Sequence, residues 1–84
     1  MVILGSTGSI GVNALYIAKK HGLKVEGLCA GNNVNLLNKQ IKEFNPKYVA
    51  IGDEKLAKKV EHPIVLVGEE GILQMLEISK STLV

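Results

Sequence analysis

The chain contains no arginine and no tryptophan, one phenylalanine, two tyrosines, two prolines and a single cysteine, Cys29. Each shortage removes a class of function. One cysteine can form neither an internal disulfide nor a thiolate metal cluster, and it fits a reducing compartment, so Cys29 is expected as a small buried apolar residue near a strand end. Without arginine, and with so few rings, little is available to read base edges or stack on bases. The ten cations are all lysines scattered among eight carboxylates, giving a formal charge of +2, and nucleic acid is not expected as a partner. No apolar run approaches the roughly 20 residues that span a bilayer. Met1 leads directly into an apolar strand pattern without the basic start of a secretory signal. These features predict a cytoplasmic protein with no membrane partner.

What is present is globular in character. The 84 residues are 46% hydrophobic and 21% charged, enough for one small domain. A domain of this size buries only about 60% of the surface its unfolded chain exposes, so a piece of a larger protein is a natural reading. Val2-Ile3-Leu4 reads as a short buried strand ended by Gly5. From Ser9 to His21, Ile10, Ala14, Ile17 and Ala18 keep helical spacing, with Gly22 to end the helix. Lys24 to Ala30 is a second strand. Val34, Leu37, Ile41 and Phe44 mark a second helix capped by Asn33 and stopped by Asn45-Pro46. Tyr48 to Ile51 is a third strand, Asp53 opens a short polar helix through Val60, and Ile64 to Val67 is a fourth strand. A last helix, Glu69 to Ser79, carries Ile72, Leu73, Leu76 and Ile78. Thr82-Leu83-Val84 reads as the opening half of a fifth strand, which predicts that the chain continues in a longer parent.

The alternation of strands and helices predicts an α/β fold, a Rossmann-like doubly wound parallel sheet truncated at the start of its fifth strand, with strands in the order 3-2-1-4. Residues 1–84 then form the N-terminal part of a nucleotide-binding domain whose catalytic and C-terminal domains lie outside this sequence.

The chemistry sits in Gly5-Ser6-Thr7-Gly8-Ser9-Ile10-Gly11, which follows the first strand and opens the first helix. Gly5 permits the tight turn, Gly8 lets main chain approach a pyrophosphate, and Gly11 lets the helix pack close to the strand. Free N–H groups at the positive helix end then bind the anion. The hydroxyls of Ser6, Thr7 and Ser9 are expected to add phosphate contacts. The spacing is G-x-x-G-x-x-G, not the G-x-G-x-x-G of many NAD dehydrogenases. NAD sites place an acid at the end of the second strand to hold the ribose 2′-hydroxyl. Here the stretch is Cys29-Ala30-Gly31-Asn32-Asn33, with no acid and two amide donors, which points to NADP(H). The same residues would also serve as a turn and helix cap without any ligand. His21 and His62 lie at helix ends and read as surface or capping groups, and no carboxylate cluster has metal-ligand spacing.

The stretch from Val2 through Leu15 resembles the N-terminus of 1-deoxy-D-xylulose 5-phosphate reductoisomerases. Leu28 to Val34, Phe44-Asn45-Pro46-Lys47-Tyr48-Val49-Ala50 and Gly68-Glu69-Glu70-Gly71-Ile72 are similar to later parts of the same family's N-terminal domain. The resemblance implies a homodimeric parent oxidoreductase of non-mevalonate isoprenoid biosynthesis. That enzyme uses NADPH and Mg²⁺ or Mn²⁺ to convert the phosphosugar 1-deoxy-D-xylulose 5-phosphate to 2-C-methyl-D-erythritol 4-phosphate. It further implies cofactor contacts at Thr7, Gly8, Ser9 and Ile10 and at Gly31, Asn32 and Asn33. Asn32 stands where many members carry a basic residue. Catalytic residues and metal ligands would fall past Val84, so this piece alone is expected to bind no metal and to be inactive. Two other readings share the glycine loop: an extended short-chain reductase or semialdehyde dehydrogenase, and a non-enzymatic NADP-sensing module.

Overall fold

The computed structural model describes residues 1–79. The elements follow the order β1 (Val2–Ile3), α1 (Ser9–Lys20), β2 (Gly27–Ala30), α2 (Val34–Phe44), β3 (Tyr48–Ile51), a 3₁₀ segment (Glu54–Lys59), β4 (Val65–Val67) and α3 (Gly68–Ser79). The proposed fifth strand at Thr82-Leu83-Val84 lies outside the described residues. Among the described residues no helix is long and apolar enough to cross a membrane.

Strand alternation divides the side chains into two cores. Ile3, Leu28, Ala30, Val49 and Ile51 point to one face, where α1, α2 and the 3₁₀ segment cover them with Leu15, Ala18, Leu37, Ile41 and Val60. Val2, Cys29 and Ala50 point to the other, against Met75 of α3 and its neighbours Ile72 and Leu76. Every strand pair is parallel: Ile3 is level with Leu28, Leu28 with Val49, and Val49 with Val65. Helices on both faces of a parallel sheet are the α/β arrangement that the alternating pattern predicts.

The strand order is β1-β2-β3-β4, not the expected 3-2-1-4. The reason lies in the third connection. Leu56, Ala57 and Val60 pack into the same core as α1 and α2, so all three connections cross one face of the sheet. Right-handed crossovers on one face step in one direction, which puts β4 outside β3. To land beside β1, the third connection would have had to cross the face that α3 occupies.

The expected apolar stripes of α1 and α3 also need correction. In α1 the buried residues are Gly11, Leu15 and Ala18, while Ile10 is 80% exposed and Ile17 is 51% exposed. In α3 Gly71 and Met75 are buried, and Leu73 and Ile78 are exposed. Glycine explains both. A Cβ on Gly71 would lie 2.8 Å from the Leu66 carbonyl carbon, so each helix turns its glycine, not its bulkiest residues, toward the closest neighbour. The second helix matches its expected bounds, with Val34, Leu37 and Ile41 buried, Asn33 as N-cap and Asn45 as a left-handed C-cap at φ 49°. The first strand is one residue shorter than expected, because Leu4 leaves the sheet and is exposed. Pairing in the second strand starts only at Gly27.

Cys29 lies buried in β2, as a small apolar residue would. Burial pushes its thiol up from an ordinary value of 9.0 to about 12. The folded chain therefore keeps a proton that the unfolded chain releases above pH 9, so this group favours folding below pH 9 and that contribution is lost as pH rises toward 12. We expect a water-soluble thiol reagent at pH 8 to label Cys29 only slowly in the native protein and to completion in denaturant; equal rates in the two conditions would contradict its burial.

Candidate functional site

Three turns leave the carboxyl edge of the sheet side by side, after β1, β2 and β3, and backbone hydrogen bonds join them. The Ser6 N–H donates to the Cys29 carbonyl at 2.7 Å, Gly52 to Ala30 at 2.8 Å and Asp53 to Gly31 at 3.0 Å. The glycine loop and the Gly31-Asn32-Asn33 turn are thus neighbours on adjacent strands. The residues expected to contact a cofactor, Thr7, Gly8, Ser9 and Ile10 with Gly31, Asn32 and Asn33, come together along one edge.

The glycines of the first loop have separate reasons. Gly5 has φ +65°, the left-handed region, and its carbonyl accepts from the Gly8 N–H at 3.0 Å, which closes the turn. At Gly11 a Cβ would overlap the Gly5 carbonyl oxygen and sit 2.6 Å from the Ser6 Cα, both main-chain atoms, so the fold itself excludes any side chain there. Gly8 differs. A Cβ on it would meet only the Gly5 oxygen, at an ordinary 3.5 Å. The chain has room for a side chain at Gly8, and the face it leaves bare is open to a ligand.

The start of α1 is less satisfied than the starts of α2 and of the 3₁₀ segment. Its N-cap, Gly8, offers no side-chain acceptor, and no acidic residue lies in the first turn. The Ser9 and Ile10 N–H groups, ahead of the first turn's acceptors, have no partner among the described residues. By contrast, Asn33 caps α2 and Asp53 caps the 3₁₀ segment, accepting from the Leu36 and Lys55 N–H groups at 3.2 and 3.0 Å. Free donors and a positive dipole end make α1 a ready anion site. The exposure of Ile10 fits its place in that first turn. At the other edge position, α3 begins with Glu69 and Glu70, which would repel an anion.

Ser6 does not behave as expected. Its side chain is fully buried, and its Oγ, with no hydrogen-bond partner, cannot reach a ligand at the surface. Its carbonyl accepts a hydrogen bond of 2.8 Å from Nε2 of Gln40, a buried residue of α2 that the sequence reading passed over. Thr7 is half-buried and Ser9 exposed, so their hydroxyls remain open to a phosphate.

Beside the second loop lies a cavity of about 260 Å³ lined by Asn32, Asn33, Asn35, Asn38, Leu56 and Lys59. No carboxylate is among the lining residues. Asn33 spends its Oδ1 on the helix cap, which leaves its amide N–H₂ for a ligand. Asn38 clamps the end of the 3₁₀ segment against α2, donating to the Lys59 carbonyl at 2.9 Å and accepting from the Glu61 N–H at 2.8 Å. That clamp brings Lys59, another residue missed from sequence, to the cavity beside Asn32. Its sequence distance from the loop hid it. A larger groove, about 570 Å³, runs between α1 and α2 past Leu15, Tyr16 and Phe44, with Lys19, Lys20, Lys39 and Glu43 also among its lining residues.

The two histidines are structural. His21 is the exposed C-cap of α1, and the His62 ring bridges the Pro46 carbonyl at 2.8 Å and the Ile64 N–H at 3.0 Å. Among the described residues no group of three or more His, Cys, Asp or Glu could hold a metal ion.

With this geometry in hand, comparison with known proteins is specific. The family model for 1-deoxy-D-xylulose 5-phosphate reductoisomerase matches residues 1–84. The chain is 58% identical over 84 residues to the protein of that name from Nautilia profundicola, covering 100% of the chain and 23% of the relative. It is 54% identical over 81 residues to the one from Campylobacter hominis, covering 96% and 23%. Among solved structures, the Zymomonas mobilis enzyme in complex with NADPH superimposes with a TM-score of 0.82 at 25% identity, over 92% of this chain and 22% of that one. A reductoisomerase in complex with magnesium gives 0.78 at 26% identity, over 93% and 22%. The chain thus spans about a quarter of the length of the relatives it matches.

The contrast between Gly11 and Gly8 yields a paired expectation for the full-length protein. Gly11→Ala forces the loop and helix apart and should lower stability by about 1–3 kcal/mol, the usual cost of overpacking. Gly8→Ala should leave the thermal midpoint within about 1 °C of the original, which for a protein of this length is a shift of under about 1 kcal/mol. Thermal melts of both variants check this, and equal destabilisation would contradict it.

Proposed function

Because the chain belongs to the 1-deoxy-D-xylulose 5-phosphate reductoisomerase family, we propose that residues 1–84 form the first part of the NADPH-binding domain of such an enzyme. The observation that carries the reading is the uncapped, acid-free start of α1 directly behind a glycine with room left for a ligand. In this reading the Ser9 and Ile10 N–H groups and the Thr7 and Ser9 hydroxyls hold the cofactor pyrophosphate, and bare main chain at Gly8 admits it closely. Gly31, Asn32 and Asn33 receive the ribose end, where amide donors and Lys59 suit a 2′-phosphate and no acid opposes it. NADPH, once bound, supplies the hydride for reduction of the rearranged phosphosugar. This segment's part is to bind and orient that cofactor.

The family implies a divalent metal as well, and the described residues do not fit one. We therefore assign no metal step to this segment and expect it to be inactive alone. The whole enzyme is read as a cytoplasmic homodimer acting on 1-deoxy-D-xylulose 5-phosphate to give 2-C-methyl-D-erythritol 4-phosphate, with small molecules and not nucleic acid or membrane as its partners. Family membership sets aside the short-chain reductase and semialdehyde dehydrogenase readings, which rested on the glycine loop alone, and with them the sensing module.

Calorimetric titration of the full-length protein tests the cofactor assignment. NADPH should bind more tightly than NADH by about tenfold or more, since one hydrogen bond to a charged phosphate contributes about 1.5–3 kcal/mol. Asn32→Asp and Lys59→Met should each weaken NADPH while sparing NADH. Equal affinities for the two cofactors in the unaltered protein would overturn the assignment of this loop to the 2′-phosphate.

A further inference from the structure

We propose that Gln40 is a positioning residue for the cofactor, holding the Ser6–Thr7 peptide so that the Thr7 N–H faces the pyrophosphate. The inference rests on the NADPH reading above and extends it to a residue that touches no ligand. A trans peptide sets its C=O and N–H in opposite directions, and no cis bond occurs among the described residues. Gln40 Nε2 draws the Ser6 carbonyl inward with a 2.8 Å hydrogen bond, across 34 residues of sequence. The Thr7 N–H must then point away from the interior, toward the open side of the loop. No acceptor within the chain takes it among the described residues.

Packing alone does not account for an amide at this position. Gln40 is only 7% exposed, and its Oε1 is buried without a partner. An apolar side chain of the same shape would fill the space and leave no such orphan. What the amide adds is the donor to Ser6. The buried Ser6 hydroxyl, also without a partner, provides no competing donor to that carbonyl in this arrangement. Gln40 also lies two helical turns from Asn33 on α2, about 10 Å along the axis. One hydrogen bond thus ties the pyrophosphate loop to the helix that begins at the ribose loop, fixing the spacing between the two ends of the cofactor site.

The test uses the full-length protein with Gln40→Met, which keeps length and lacks the donor, and Gln40→Leu as a second apolar variant. Three quantities are measured: the thermal midpoint, the NADPH dissociation constant, and the dissociation constant of adenosine 2′-monophosphate, which has no pyrophosphate. We expect NADPH binding to weaken about tenfold, the size of one charge-assisted hydrogen bond. The nucleotide monophosphate should change less than about twofold, and the midpoint should fall by at most a few degrees, since the Ser6 carbonyl loses its donor. Unchanged NADPH affinity in either folded variant overturns the proposal. So does a parallel loss of both ligands with a larger fall in the midpoint, the signature of a purely structural glutamine. Failure of the unaltered protein to bind NADPH would instead remove the cofactor reading itself, and this inference with it.

Discussion

The contact on which the rest depends is the approach of α1 to the turn that precedes it. Gly11 lies so close to the Gly5 carbonyl and the Ser6 Cα that no side chain could stand between them. That proximity brings the first turn of the helix down onto the end of β1, where its free N–H groups share an edge with the loops after β2 and β3. A helix set back by the width of one methyl group would carry the same dipole, but its donors would no longer line up with the Gly8 face. The close approach also decides which side of α1 meets the sheet. Leu15 and Ala18 follow Gly11 inward at helical spacing, and Ile10 is left at the mouth of the loop.

The sheet supplies the second constraint. Three successive connections over one face carry the strands steadily away from β1, and among the described residues α3 alone covers the opposite face. The glycine loop therefore stands at one end of the described sheet with a single strand neighbour, β2. Its immediate surroundings are the β2 turn and α2, which is why a residue of α2 can reach the Ser6 carbonyl and why the 3₁₀ segment can bring Lys59 to the second loop. The exposed ion pairs Lys19–Glu43 at 3.6 Å and Lys42–Glu61 at 3.5 Å cross the same helix layer. Solvated pairs of this kind contribute little, so the layer is held by the apolar core beneath them.

Much of this was legible in the sequence, and the misses share physical causes. The second helix was found to the residue because its stripe is made of large apolar side chains and both ends carry strong signals, Asn33 before and Asn45-Pro46 after. The third strand was equally plain between those stops and Gly52. The faces of α1 and α3 were misread because hydrophobic spacing gives weight to bulk, and in both helices a glycine leads the buried side. The strand order was misread because sequence shows that a connection exists without showing which face it crosses. At the site, the glycine loop and the Asn pair were visible as local motifs. Gln40 and Lys59 were not, since each meets its loop only through the fold, across 34 residues in the case of Gln40. Ser6 was misassigned for a related reason: a hydroxyl beside a phosphate loop looks like a ligand contact until the fold turns it inward.

The division of labour between main chain and side chains follows from these placements. At the first loop the donors proposed for the pyrophosphate are mainly backbone N–H groups, whose positions are set by glycines and by the hydrogen bond on the Ser6 carbonyl. Such donors cannot tell one dinucleotide from another, because the pyrophosphate is common to all of them. In the proposed reading discrimination falls to the second loop, where Asn33 is half committed to capping α2. The remaining variables are the charge at Asn32 and the cation that Lys59 brings from the 3₁₀ segment. A lysine on a separate element is a movable charge, held near the site by the Asn38 clamp on its own carbonyl. On that reading the affinity of the first loop and the selectivity of the second rest on different residues, joined mechanically through α2, so that a change in cofactor preference need not disturb the glycine loop.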